Sequence, residues 1–138
     1  FYPFEEIVKG SKNKSKIMEN IDIGGPSMVR GAAKNYENVT VITSIDQYED
    51  LKIELSKNLG STSLDFRQKM SQKAFIETGY YDSVIANYFL KITKKNFPSK
   101  KLIYANKIDD LRYGENPHQV AAVYSTVSPD QRILQLHN

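Results

Sequence analysis

Residues 20–43, NIDIGGPSMVRGAAKNYENVTVIT, decide how this chain is built. Pro26 suits the first position of a helix, where a missing N–H costs nothing, and Met28, Val29, Ala32, Ala33 and Tyr36 fall on one helical face, so a helix is expected over 26–36. Val39, Thr40, Val41, Ile42 and Thr43 form a compact β-branched run, the texture of a buried strand in an α/β sheet. Helix followed directly by strand points to an α/β fold.

The same alternation continues downstream. Ser44 reads as a helix cap with Gln47 in capping-box position, and Tyr48, Leu51 and Leu55 supply the apolar stripe of that helix, which leaves at Gly60. Leu64, Met70, Ala74 and Phe75 mark a further helix over about 63–78, ended by Gly79. Tyr81, Val84, Ile85, Tyr88, Phe89 and Ile92 recur at three- and four-residue steps and predict a last helix with six large apolar groups on one face. Upstream, Phe1, Tyr2, Pro3 and Phe4 read as the end of a strand. With phenylalanine in place of an initiator methionine, the chain is expected to be part of a longer polypeptide.

After the helices the texture changes. Leu102–Ala105, Val120–Ser125 and Arg132–Leu136 look like strands, and Asp109–Gln119, with Gly114 and Pro117, is a polar loop between two of them. A domain boundary is therefore expected near 98–105, although 138 residues would suit a single domain. Hydrophobic residues at 40% and charged residues at 25% describe an ordinary folded domain and exclude a disordered tail. No apolar run reaches the roughly 18 residues of a membrane span, so no membrane partner is expected. The chain holds no cysteine, which excludes disulfides and thiolate chemistry and suits a cytoplasmic location. His118 and His137 are the only imidazoles, too few for a histidine-rich metal site, and no metal is expected. The formal charge of +3 favours anionic ligands modestly. Its local source, Lys91, Lys94, Lys95, Lys100 and Lys101, reads as a solvated connector or as an RNA-associating patch. Only Phe97 stands nearby to stack a base, so nucleic acid is not the expected partner.

Two clusters can carry chemistry. In the first, Gly24 and Gly25 precede a helix, and a helix N-terminus offers free N–H groups and partial positive charge to an anion or polar ring. A plain turn capped by Asp22 or Ser27 would use the same residues. Arg30 and Lys34 lie at i and i+4, where like charges fit a solvated face or an anionic partner. Lys34 is eight residues beyond Pro26, or roughly 12 Å along the axis, about half of which its side chain recovers by leaning back. Asp22 and Lys34 can then address one ligand from two sides, a carboxylate to move protons and an ammonium to hold negative charge. The second cluster, Leu111–Gln119, holds Arg112, Tyr113, Asn116 and His118, suited to phosphate, ring and proton contacts or simply to a loop bonded to itself.

Together these motifs resemble one family, the bifunctional purine-biosynthesis enzymes that combine aminoimidazole carboxamide ribotide transformylase with inosine monophosphate cyclohydrolase. Tyr2, Pro3 and Phe4 match the end of its Asn-Leu-Tyr-Pro-Phe motif, and Asp22–Gly25 its Ile-Asp-Ile-Gly-Gly. Arg30, Ala32, Ala33, Lys34 and Asn35 match its Arg-Ala-Ala-Ala-Lys-Asn helix. Ala74, Phe75, Tyr81, Asp82, Ile85 and Tyr88 echo a helical segment, and Leu111–Gln119 repeats its Leu-Arg-Tyr-Gly-x-Asn-Pro-His-Gln signature. Phe1, Gly31 and Tyr36 depart from its usual Leu, Ala and His.

The resemblance implies that residues 1–103 are the C-terminal part of a cyclohydrolase domain with a methylglyoxal-synthase-like three-layer α/β fold. Residues 104–138 would be the first strands of the transformylase domain. It implies ring closure of formyl-aminoimidazole carboxamide ribotide to inosine monophosphate without a cofactor, coupled to formyl transfer from 10-formyltetrahydrofolate. Asp22 and Lys34 would be the acid/base and electrostatic pair, Tyr2 would orient substrate or assist proton transfer, and Ile23, Gly24 and Gly25 would hold the base. Arg112, Tyr113 and His118 would belong to the transformylase nucleotide site. A phosphorylated purine precursor and a homodimer are the implied partners. The family's N-terminal phosphate loop, its Arg-Val-Lys-Thr-Leu-His-Pro segment and the transformylase Lys-His pair do not occur here, so neither active site is expected to be complete. A non-catalytic nucleotide-binding domain of the same fold is the competing reading.

Overall fold

The computed structural model describes residues 1–94 and 97–126 and divides into two compact units, Phe1–Pro98 and Ser99–Asn138. The first is helical: α1 (Phe4–Gly10), α2 (Lys14–Glu19), α3 (Gly24–Lys34), a 3-10 turn (Ile45–Gln47), α4 (Tyr48–Lys57) and α5 (Leu64–Ile92). The second holds an antiparallel hairpin of β1 (Asn106–Leu111) and β2 (Ala121–Ser125). Helices and a two-stranded sheet thus make up an α/β chain, with the two classes of element in separate units.

The first unit is organised along α5. Ser63 caps it by accepting the Phe66 N–H at 3.3 Å, and it then runs 29 residues without a break. The expected stop at Gly79 does not occur. A glycine inside a helix costs only about 1 kcal/mol relative to alanine, and the flanking turns are anchored by buried Ala74, Thr78, Tyr81 and Ser83. Its N-terminal half packs on α3 through Ala74, Ala33 and Val41, with Val29 and Ala32 around them. Its C-terminal half packs on α1 and α2 through Tyr81, Phe4 and Ile17, joined by Val84, Ile85 and Tyr88 of the predicted stripe. Phe89 and Ile92, the end of that stripe, remain exposed.

The opening residues are a correction. Phe4 begins a helix instead of ending a strand, because Pro3 sits at the N-cap, where no N–H is needed, and Glu5 and Glu6 favour the positive helix start. Asn13 caps α2 by accepting the Lys16 N–H at 3.2 Å. The helix expected over 26–36 is α3, shifted two residues towards the N-terminus.

Val39–Thr43 is a second correction, since the segment joins no sheet in the described residues. It is held instead by side chains. Val41 packs on Ala33 and Ala74, Thr40 and Thr62 share a hydroxyl contact of 2.7 Å, and Thr43 N–H donates to Gln47 Oε1 at 3.1 Å. Ser44 accepts the Asp46 N–H at 3.3 Å, so the capping residues are used, but in a 3-10 turn ahead of α4. Beyond α4 the chain reverses through Leu59 and Gly60, at φ 53° and 86°, in the left-handed region.

Arg67 closes this part of the unit. Its Nε and Nη2 donate to the carbonyls of Tyr36 and Glu37 at 2.8 and 2.9 Å, and Nη1 donates to the Thr62 carbonyl.

In the second unit, β1 pairs with β2 from Asn106↔Ser125 to Leu111↔Ala121, with a bulge between Lys107 and Asp109 that leaves Ile108 as the extra residue. β1, at Asn106–Leu111, lies beyond the strand expected at Leu102–Ala105. The expected loop therefore shortens at its start, since Asp109–Leu111 belong to β1. The strand expected at Arg132–Leu136, with Lys95 and His137, lies outside the described residues.

Candidate active site around Asp22

Four residues, 20–23, separate α2 from α3, and Asp22 is the third of them. Its Oδ1 accepts the Gly25 N–H at 2.8 Å and its Oδ2 accepts the Tyr2 N–H at 3.3 Å. The first bond is a helix cap, in which a side-chain oxygen satisfies a donor that the helix itself leaves unpaired. Of the two capping residues the sequence offers, Asp22 is the one used. The Ser27 hydroxyl donates to the Ile23 carbonyl at 2.8 Å.

The two glycines separate in role. A Cβ on Gly25 would lie 2.5 Å from Asp22 Oδ2 and 3.0 Å from its Cγ, so this glycine makes room for the carboxylate. A Cβ on Gly24 would meet nothing within 4 Å, and Gly24 and Ile23 face solvent, Ile23 at 71% exposure. The open backbone at Ile23 and Gly24 is the approach to the Asp22 turn.

Tyr81 of α5 anchors that turn from beneath. Its hydroxyl accepts the Asp22 N–H at 2.8 Å and donates to the Asn20 carbonyl at 3.2 Å. The ring packs on Phe1 and Phe4, with centroids 5.1 and 6.4 Å away. Burial raises the phenol above its usual value, and the charges of Asp22 and Asp82 add to the rise, outweighing the Asp22 N–H bond, which lowers it. The hydroxyl therefore keeps its proton, and its donor role, well beyond neutral pH. One residue earlier, Tyr80 donates to Glu5 Oε2 at 2.6 Å, and Lys9 lies 2.9 Å from the same carboxylate. The Tyr80 bond is the larger cause, with Lys9 second, and together they hold Glu5 below the usual carboxylate range.

Tyr2 lies beside Asp22 through its backbone, while its side chain is exposed and lines a cleft of about 200 Å³. Glu5, Glu77, Tyr80 and Val84 form the opposite wall of that cleft.

Lys34 is the last residue of α3, ten residues after Gly24, which places it roughly 15 Å along the axis from the Asp22 end. The two residues therefore sit at opposite ends of one helix, a gap that a long helical side chain shortens by leaning back towards the helix start. Arg30 does not join Lys34 towards a ligand. Its guanidinium lies over the Phe75 ring of α5 at 5.7 Å, a cation–π contact that accounts for this charge within the unit.

Arg112, Tyr113 and His118 belong to the loop between β1 and β2, and all three are exposed. Gly114 N–H donates to the Gln119 carbonyl at 2.9 Å, and Asn116 N–H donates to Gln119 Oε1 at 3.0 Å. Gln119 thus ties the loop into a turn that leaves Arg112, Tyr113 and His118 facing outward. A Cβ on Gly114 would lie 3.0 Å from that of Gln119, which accounts for the glycine.

No group of three or more acidic or histidine side chains fit for a metal occurs among the described residues. None of the described helices is long and apolar enough to cross a membrane.

Tyr81 is the site residue that sequence reasoning did not find. In the sequence it is one more aromatic on a helical stripe, and its hydroxyl partner is 59 positions away.

Comparison with known proteins identifies the relatives of this chain. The bifunctional purine biosynthesis protein PurH of Rippkaea orientalis is 46% identical over 129 residues, covering 91% of this chain and 25% of that protein. PurH of Listeria welshimeri is 47% identical over 125 residues, covering 90% and 24%. PurH of Bradyrhizobium diazoefficiens is 42% identical over 131 residues, covering 95% and 24%. The chain spans about a quarter of the length of these curated relatives. The model of the AICARFT/IMPCHase bienzyme family matches residues 32–138, well over half of the sequence, and the chain therefore belongs to that family.

Proposed function

We propose that the protein carrying this chain acts in de novo purine biosynthesis, closing formyl-aminoimidazole carboxamide ribotide to inosine monophosphate with loss of water. Residues 1–103 are then the C-terminal part of a methylglyoxal-synthase-like cyclohydrolase domain. Residues 104–138 open the transformylase domain, which uses 10-formyltetrahydrofolate as co-substrate. A homodimer in the cytoplasm, acting on a phosphorylated purine precursor, completes the reading.

The observation that carries it is Asp22. Its carboxylate is fixed by the Gly25 and Tyr2 amides at the exposed start of a helix, in a chain of this family. Ring closure joins the carboxamide nitrogen to the formyl carbon, so that nitrogen must lose one proton, the formylated amine nitrogen must lose another as its double bond to carbon forms, and the formyl oxygen must gain both to leave as water. An amide nitrogen is a weak nucleophile, and a held carboxylate and an ammonium supply what it lacks, a proton acceptor and a counter-charge for the oxygen. Asp22 and Lys34 take these roles. Tyr2 orients the ring, and the open backbone of Ile23, Gly24 and Gly25 lets the substrate approach. Arg112, Tyr113 and His118 contribute to the nucleotide site of the transformylase.

The test is cyclisation by the full-length protein and by its Asp22→Ala and Lys34→Ala variants, with inosine monophosphate followed by absorbance. Turnover in each variant is expected to fall by about 10²-fold or more. Parental turnover in both would instead support a nucleotide-binding domain without this chemistry.

A further inference from the structure

We propose that Tyr81 is a positioning residue of the cyclohydrolase site, acting through the backbone of Asp22. The inference rests on the reading of Asp22 given above. A carboxylate that must meet one proton of a bound substrate needs a fixed backbone as well as a fixed side chain. The turn that carries Asp22 lies between two helices, and its backbone makes local bonds, Asn20 N–H to Ile17 and Ile21 N–H to Met18, at 3.2 and 3.1 Å. Among the described residues Tyr81 ties that backbone to a distant element. One hydroxyl uses both of its capacities on the turn, as acceptor from Asp22 and donor to Asn20, so it sets the plane of the peptide from which the Asp22 side chain leaves. That side chain then sets the Gly25 and Tyr2 amides in its turn.

The platform behind the hydroxyl is rigid. Tyr81 is 8% exposed, it lies in the middle of the longest helix, and its ring is packed on Phe1 and Phe4. Packing alone would be served by phenylalanine, so the oxygen is the group that needs a reason, and both of its hydrogen bonds go to the segment that holds Asp22. Tyr80, its neighbour, provides an internal comparison, because its hydroxyl goes to Glu5 of α1 and not to the turn.

Four full-length proteins test this: Tyr81→Phe, Tyr80→Phe, Asp22→Ala and the double variant Tyr81→Phe with Asp22→Ala. Each is read by cyclisation kinetics and by hydrogen exchange of the peptide covering residues 20–25. Tyr81→Phe keeps the ring contacts and is expected to lower kcat about tenfold with KM within about twofold, since a misplacement near 1 Å is enough for such a loss. Exchange at Asp22 and Gly25 should quicken about tenfold. Adding Tyr81→Phe to Asp22→Ala should lower kcat no further, the non-additivity expected when one residue acts through another. Tyr80→Phe should leave the exchange of the turn within about twofold of the parent.

Unchanged exchange at residues 20–25 in Tyr81→Phe overturns the proposal. So does an equal quickening of that exchange in Tyr80→Phe, or a full further loss of kcat in the double variant. Parental turnover in Asp22→Ala with quickened exchange in Tyr81→Phe would overturn the catalytic reading of Asp22 while leaving the structural tie in place.

Discussion

Replacing Gly25 with alanine places a Cβ 2.5 Å from Asp22 Oδ2 and 3.0 Å from Oδ1 and Cγ. No real contact is that short, so something moves, and the softest group is the carboxylate at the end of a two-bond side chain. Rotating it away relieves the clash but gives up the 2.8 Å bond from Gly25 and the 3.3 Å bond from Tyr2. Losing the cap costs about 1 kcal/mol. Alanine in place of glycine in a helix returns up to about 1 kcal/mol. Global stability should therefore stay within about 1 kcal/mol of the parent, while the carboxylate moves by an ångström or more and cyclisation falls about 10²-fold. Gly31→Ala is the control, since its Cβ meets nothing within 4 Å on the same helix. It should gain up to about 1 kcal/mol and keep parental turnover. The assay is inosine monophosphate formation by the full-length variants, paired with their urea midpoints. Parental turnover in Gly25→Ala would refute the argument that the missing Cβ is what holds Asp22 in place.

Arg67→Ala leaves the Tyr36, Glu37 and Thr62 carbonyls without their charged donor and should cost about 2 to 3 kcal/mol in urea unfolding. Arg67→Lys should recover less than half of it, because an ammonium lacks the guanidinium fork; full recovery would show that charge alone matters there. Glu5 is held below its usual value of 4.5, first by Tyr80 and then by Lys9, so its contribution to stability is present above that value and lost as pH falls through the lowered one. The stability gap between the parent and Tyr80→Phe should accordingly be widest above about pH 4.5 and close in more acidic solution. A gap that does not change with pH would remove Glu5 from the explanation.

Local signals were legible where a residue acts on its own neighbours. The helix after Gly24-Gly25, the cap at Ser44 and the reversal at Gly60 are all written within three or four positions, and the structure uses each of them. Asp22 was legible for the same reason, as a side chain three residues ahead of the amide it caps. Signals that depend on a partner elsewhere misled. Val39–Thr43 has the composition of a strand, but strand character is realised only against another strand, and this segment buries Val41 on two helices instead. Gly79 reads as a stop, but its cost is small beside the burial of Thr78, Tyr81 and Ser83 on the turns around it.

By itself, then, the sequence determined α3, α4 and the apolar stripe of α5, the carboxylate at the start of α3 and the family to which the chain belongs, because these depend on residue type and spacing over short distances. Tertiary structure alone decided that α5 is one continuous rod. It alone brought the Tyr81 hydroxyl under the Asp22 turn. A hydrogen bond between residues 59 positions apart has no periodicity and no local composition to announce it. It exists only because packing Tyr81 against Phe4 and Ile17 brings α5 beneath the link between α2 and α3.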